Sequence, residues 1–203
     1  MTFAELQTEF FARGFDDLND AGAGLTRAKR WLNDALQEIY DTELWPFLQA
    51  SSSGAAPLTI ADLGRVITVA DTTHDVPLAW RSPSDIYVTD SAINDTGSAS
   101  WWYLSSSTVV TVYPADTTAS VTVRYSKTGV ELSAAGDTPL LPSRFHDLIV
   151  DGAAVRAYKN KDNFEAGQFV RDEWERGLER MRTVLLHPHY DTTDFIQATR
   201  TFV

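Results

Sequence analysis

Two imidazoles and two carboxylates, the residue types that hold a divalent cation, fall within eight positions at His187-Pro188-His189, Asp191 and Asp194. Their spacing matches no standard zinc pattern and no helical period runs through them. The stretch is therefore expected to open a proline-broken tail, and no metal is assigned. His146 and Asp147 could be drawn as an acid/base pair, but neighbours in sequence do not face one another on a helix, so His146 is expected at the surface or in an interface. Ser51-Ser52-Ser53 and Ser105-Ser106-Ser107 offer hydroxyls without the strained elbow or the patterned histidine that makes a serine nucleophilic. Gly22-Ala23-Gly24 lacks the preceding strand and the following Lys-Ser/Thr of a phosphate loop. Trp101-Trp102, with Trp80 and Tyr103, has the composition of a sugar-binding platform. Alternate strand residues face opposite sides, however, so one Trp of the pair is expected in the core and the other on the surface or in a subunit contact. Carboxylate-pair hydrolysis is weaker still, since no two acidic residues can be set face to face from the sequence. No catalytic residue and no cofactor is assigned, and the chain is expected not to be an enzyme.

Composition narrows the partners. The 203 residues are 43% hydrophobic and 22% charged and contain no cysteine, which fits a folded protein without disulfides, thiolate metal sites or thiol chemistry. No run approaches the roughly 20 apolar residues of a membrane span. Met1-Thr2-Phe3-Ala4-Glu5 has neither basic flank nor apolar stretch, so synthesis in the cytoplasm is expected. With 17 cationic against 28 anionic residues, net charge −11, the chain repels a phosphate backbone. An acidic surface does suit a wall past which DNA must slide without sticking.

The elements that would position these residues fall into two kinds. Glu disappears between Glu43 and Glu131, and Lys between Lys29 and Lys127; over Ser51 to Ser126, 24 of 76 residues are Ser or Thr. This is the composition of a β module inserted between helices. Before it, Thr2 and Glu5 have capping-box spacing, Phe3, Leu6, Phe10 and Phe11 share a face, and Gly14 supplies a C-cap. A second helix is expected over about Thr26 to Glu43, with Ala28, Trp31, Leu32, Ala35, Ile39 and Leu44 as its stripe, ended by Trp45-Pro46. Gln49 to Pro57 reads as a linker. Strands are expected near Leu58–Ile60, Val66–Ala70, Val76–Trp80, Asp85–Thr89, Ser100–Leu104, Thr108–Tyr113 and Ala119–Tyr125, the last two as a hairpin around Pro114–Thr118. Lys127 to Pro142 returns across the module's surface. Helices then run over about Ser143 to Lys159 and from Asp162 to Leu185, with Trp174, like Trp31 and Trp45, in the core; residues 143–185 carry eight acidic and eight basic side chains. The fold expected is α+β: an antiparallel helical bundle from residues 1–50 and 143–185, an inserted small β-sandwich or open barrel with its return connection over 51–142, and an extended C-terminal tail over 186–203.

Four features in order carry a resemblance: Leu44-Trp45-Pro46-Phe47-Leu48 closing the first helices, the β insertion, Leu141-Pro142-Ser143-Arg144-Phe145-His146-Asp147-Leu148, and Asp162-Asn163-Phe164-Glu165-Ala166-Gly167 leading a long helix that ends Leu178-Glu179-Arg180-Met181. The arrangement resembles the head-to-tail adaptor (connector) proteins of tailed bacteriophages, including the tail tubular protein A type. The resemblance implies a structural virion protein at the head–tail interface. Its copies would form a ring, dodecameric in the family, beneath the portal protein, extending the DNA channel towards the next tail component, be it stopper, tail tube or nozzle. DNA would pass without specific binding, and no cofactor or membrane is involved. The alternative is a carbohydrate- or receptor-binding β module of a phage or bacterial surface protein. The tail is where the two lines of reasoning meet. Tyr190, Phe195, Ile196, Phe202 and Val203 are large apolar residues, each worth about 1.5–3 kcal/mol when buried, and the threonines among them favour extended structure. As adaptors of this resemblance use the C-terminal segment to grip the portal, Asp194, Phe195, Ile196, Thr199, Arg200, Phe202 and Val203 are the expected portal-binding residues.

Overall fold

The computed structural model describes residues 1–19, 22–116 and 118–186. Within them the chain is mixed α+β, with five α-helices and a nearly closed seven-stranded, barrel-like sheet. It separates into two compact units. One contains Met1–Phe47 and the described residues from Val130 on; the other is Leu48–Gly129.

In the helical unit, α1 (Phe3–Ala12) starts on a closed capping box. The Thr2 nitrogen donates to Glu5 Oε2 at 2.7 Å and the Glu5 nitrogen to Thr2 Oγ1 at 3.3 Å, which satisfies two donors that an α-helix otherwise leaves open. Phe3, Leu6, Phe10 and Phe11 are buried as their spacing predicts. The helix caps at Arg13, and Gly14 follows in the left-handed region at φ 94°, a conformation that costs glycine nothing. The chain turns there so that Phe15 stacks on Phe10 with ring centroids 4.8 Å apart.

Helix α2 (Ala23–Thr42) buries Ala28, Trp31, Leu32, Ala35, Leu36, Ile39 and Tyr40. Beyond its end, Trp45 is fully buried and its Nε1 donates to the Ile39 carbonyl at 2.6 Å, so the residue that stops the helix also satisfies one of its last acceptors. Helix α4 (Asp147–Asn160) packs against α1, α2 and α5 (Phe164–Leu186). It is buried on most sides, through Leu148, Ile149, Val150, Gly152, Ala153, Ala154 and Ala157. Gly152 is what lets it lie so close: a Cβ there would stand 2.9 Å from Ala35 Cβ and 3.1 Å from Trp174 Nε1. Helix α5 buries only Gly167, Trp174, Leu178 and Met181. Its other faces carry ion pairs such as Arg171–Glu175 at 2.9 Å, each worth a few tenths of a kcal/mol.

The return connection differs from the expectation. From Val130 on it belongs to the helical unit and is bonded to its helices. Phe3 N donates to Asp137 O at 2.7 Å, Ala4 N to Ala135 O at 3.1 Å, and Leu140 N to the Tyr40 hydroxyl at 3.0 Å. The cause is the open N-terminus of α1, whose free N–H groups need acceptors and find them in the Ala134–Asp137 turn. The third expected helix is also interrupted at its start: Ser143–Phe145 forms a 3-10 turn before α4.

In the β unit the strands are β1 (Gln49–Ala55), β2 (Leu58–Thr59), β3 (Leu63–Asp71), β4 (Val76–Trp80), β5 (Trp101–Ser106), β6 (Val109–Tyr113) and β7 (Ser120–Lys127). Their order is β1-β7-β3-β4-β5-β6-β2, and all pair antiparallel except β4 with β5. Ile60, Leu63, Val69, Leu78, Trp102, Val110, Val112, Val121, Val123 and Tyr125 form most of its core.

Three expectations are corrected here. Gln49–Pro57 is not a linker: most of it is β1, whose Ser- and Ala-rich residues pair along β7 in the register Ser52↔Val123. Asp85–Thr89 is not a strand but part of α3 (Pro83–Thr89), capped by Ser82, whose Oγ accepts from the Asp85 nitrogen at 3.2 Å. Ser-Pro at N-cap and N1 is a helix-start signal, and here it outweighs the β-propensity of Ile86, Tyr87 and Val88. Finally, β6 and β7 do not form a hairpin. β6 lies between β5 and β2, and β7 between β1 and β3. Each strand buries its alternate valines, but strand alternation specifies a face and not a partner.

Candidate functional site

Each described imidazole has a structural partner. His146, expected at the surface or in an interface, is buried with 4% of its area exposed. Its Nε2 lies 2.8 Å from the Leu141 carbonyl and its Nδ1 2.6 Å from the Met1 nitrogen. The residue sits between the Ser143–Phe145 3-10 turn and α4, and its two ring nitrogens are taken by Leu141 and Met1 and not by Asp147. Burial holds its pKa below the usual 6.5, opposed by the Leu141 carbonyl, so the ring is neutral at pH 7. His74, in the β3–β4 turn, places Nδ1 2.7 Å from Asp71 Oδ2. Among the described residues neither imidazole is bonded to a hydroxyl. The serines pair with hydroxyls of neighbouring strands instead: Ser53 Oγ with Thr122 Oγ1 at 2.7 Å, and Ser105 Oγ with Thr111 Oγ1 at 3.0 Å. A serine so placed has no base to take its proton.

Two acidic clusters sit on the β unit. The Tyr113 hydroxyl donates to Asp95 Oδ2 at 3.1 Å and Asp90 Oδ2 at 3.3 Å. Burial first, then these carboxylates, push its pKa up to about 12; it stays protonated at neutral pH and staples the Asp90–Asp95 loop to β6. The second cluster is Asp71, His74 and Asp116, whose ligand-capable atoms all lie within 4.8 Å of one another. Only its local half, the Asp-Thr-Thr-His turn after a strand, is visible in sequence; Asp116 arrives from the β6–β7 loop.

The aromatic pair divides as its alternation predicts: Trp102 is in the core and Trp101 is half-buried. Trp101 is already engaged, with the Arg81 guanidinium 4.5 Å from its ring centroid and Tyr113 stacked beside it at 6.0 Å. Trp80 is 60% exposed. Trp31, Trp45 and Trp174 are buried.

What the molecule does present is contact surface. On the β unit, Trp80, Tyr87 and Val88 expose apolar area, Val88 to 85%. On the helical unit, Phe164 and Phe169 do the same at the start of α5. A groove between the start of α4 and the end of α5 is lined by Arg144, Phe145, Asp147, Leu148, Gly177, Arg180 and Val184, and so offers an apolar floor flanked by two cations and one carboxylate. No described helix is long and apolar enough to cross a membrane.

The candidate cluster His187, His189, Asp191 and Asp194 lies outside the described residues, as do the expected portal-binding residues Asp194, Phe195, Ile196, Thr199, Arg200, Phe202 and Val203. Compared with known proteins, the chain matches the family model described as SU10 adaptor protein over residues 1–197. No curated protein matches it.

Proposed function

Since the chain belongs to the SU10 adaptor protein family of phage head-to-tail adaptors, and is thus a structural component of the virion's head–tail junction with portal and tail components as neighbours, we propose that its copies close into a ring directly beneath the portal. The ring, a dodecamer on this reading, extends the DNA channel to the next tail component. The match across residues 1–197 carries the proposal.

Charge and surface support it. A lumen that holds DNA by favourable phosphate contacts would brake its passage, because each neutralised phosphate adds salt-dependent affinity. A chain with net charge −11 avoids that where its carboxylates line the lumen. A ring subunit also needs contact faces towards its own copies and towards two different partners. Exposed Trp80, Tyr87 and Val88 on one unit and Phe164 and Phe169 on the other supply the kind of apolar area that such contacts bury. The portal grip is assigned to the tail residues Asp194, Phe195, Ile196, Thr199, Arg200, Phe202 and Val203, whose apolar side chains gain by burial against a partner. Negative-stain imaging of the chain mixed with its portal tests the reading. Added density as a ring on one portal face is expected, and bare portals beside free chain would refute it.

A further inference from the structure

At one end of the β unit, two separate segments bring one imidazole and two carboxylates together, and we propose that Asp71, His74 and Asp116 form a binding site for a single first-row divalent cation of the zinc, cobalt or nickel type. Asp71 ends β3 and is 1% exposed. Its Oδ1 is fixed by the backbone nitrogens of Thr73 at 2.8 Å and His74 at 3.3 Å, which aims Oδ2 at His74 Nδ1, 2.7 Å away. A carboxylate buried and oriented by its own turn is pre-organised as a ligand, and the N–H groups on its other oxygen are the outer partners that ligating carboxylates use. Asp116 is anchored in the same manner: its Oδ1 accepts from Thr118 N at 2.8 Å, Thr118 Oγ1 at 2.7 Å and Ala119 N at 3.2 Å.

The two segments are already laced together. Thr72 N donates to Ser120 O at 2.7 Å, Ser120 N to Thr73 Oγ1 at 2.8 Å, and Thr73 Oγ1 to Thr118 O at 3.3 Å. The ligands therefore meet without rearrangement of the strands. Metal–ligand bonds of about 2.0–2.2 Å put donor atoms roughly 3–4 Å apart, against the present limit of 4.8 Å. The Asp116 carboxylate must swing in, and the His74 Nδ1–Asp71 Oδ2 pair must open from its present 2.7 Å to that spacing, through the exposed His74 side chain. The ion takes the place of the proton between His74 Nδ1 and Asp71 Oδ2, accepts Asp116 as third ligand, and completes its shell with water. An imidazole among the ligands favours zinc, cobalt or nickel over magnesium or calcium. Bound there, the ion pins the β3–β4 turn to the β6–β7 loop.

Calorimetric titration of the full chain with zinc chloride, paired with the visible absorption of its cobalt form, tests the site. The sequence holds one rival, His187 and His189, so the variants must separate the two. One equivalent of zinc is expected, undisturbed by excess magnesium. Affinity should fall roughly tenfold or more in His74→Asn and in Asp116→Asn, with circular dichroism unchanged, and should persist in the His187→Gln/His189→Gln double variant. Asp71 is too deeply buried to serve as the test position. No saturable binding, binding indifferent to His74→Asn, or binding lost in the double variant would each overturn the assignment.

Discussion

The side-chain amide of Asn33, on α2, closes a two-bond ring on the backbone of Leu132, donating through Nδ2 to the carbonyl at 2.9 Å and accepting from the nitrogen at 2.8 Å. The residues are 99 positions apart, and the ring ties the chain returning from the β unit to the second helix. Asn33→Ala removes both bonds and leaves a half-buried peptide group unpaired, a loss of about 1–3 kcal/mol. Urea unfolding should show a lower midpoint at unchanged slope; a midpoint equal to wild type would mean that the return segment is held by other contacts.

Two glycines separate packing from propensity. A Cβ at Gly152 meets Ala35 Cβ at 2.9 Å and Trp174 Nε1 at 3.1 Å, inside a contact with no room to yield, so Gly152→Ala should destabilise by about 1–3 kcal/mol. A Cβ at Gly177 would stand only 2.3 Å from Leu148 Cδ2, but that atom is the end of a side chain lining an open groove. There the helical preference for Ala, up to about 1 kcal/mol, offsets the shift, and Gly177→Ala should be near neutral. Thermal melts of the two variants that ranked them the other way would contradict this account of how α4 is seated.

Sequence legibility followed the range of the interactions. The capping box of Thr2 and Glu5, the stripe of α2 and the burial of Trp31, Trp45 and Trp174 depend on neighbours a few positions away, and period and spacing report those. The pairing of β7 with β1 and β3 rather than with β6 depends on closure of the whole sheet, to which valine alternation is blind. Helix α3 was visible in Ser82-Pro83, yet three β-favouring residues pointed to a strand. His146 is buried on the Leu141 carbonyl and the Met1 nitrogen, the second 145 positions away, and apolar spacing reports no partner at that range. Of the candidate sites, the Asp71–His74 turn is local, whereas Asp116 joins it only through the β6–β7 loop.

Acid should weaken the fold through His146. Its pKa is lowered in the folded state from 6.5, first by burial, so the unfolded chain binds the proton more readily. The stability contributed is complete above about pH 6.5 and is lost as pH falls below that value towards the folded pKa. Melting temperature should drop as pH falls below about 6.5, and His146→Gln should flatten that part of the profile even if it lowers the whole curve. A wild-type slope retained in His146→Gln would assign the acid sensitivity to other groups.

The tail assignment makes a separable prediction. Removing Asp194–Val203 should leave circular dichroism and melting temperature of the chain nearly unchanged while abolishing its attachment to portal in a pull-down. Unfolding of the truncated chain, or full attachment without these residues, would show that the grip lies elsewhere.

The central claim is that this acidic two-unit chain is a ring-forming adaptor seated on the portal. Mass photometry of portal alone and of portal with excess chain tests it most directly. The account predicts a discrete species heavier by twelve copies of the 22.5-kDa chain. A portal peak that does not move would contradict it.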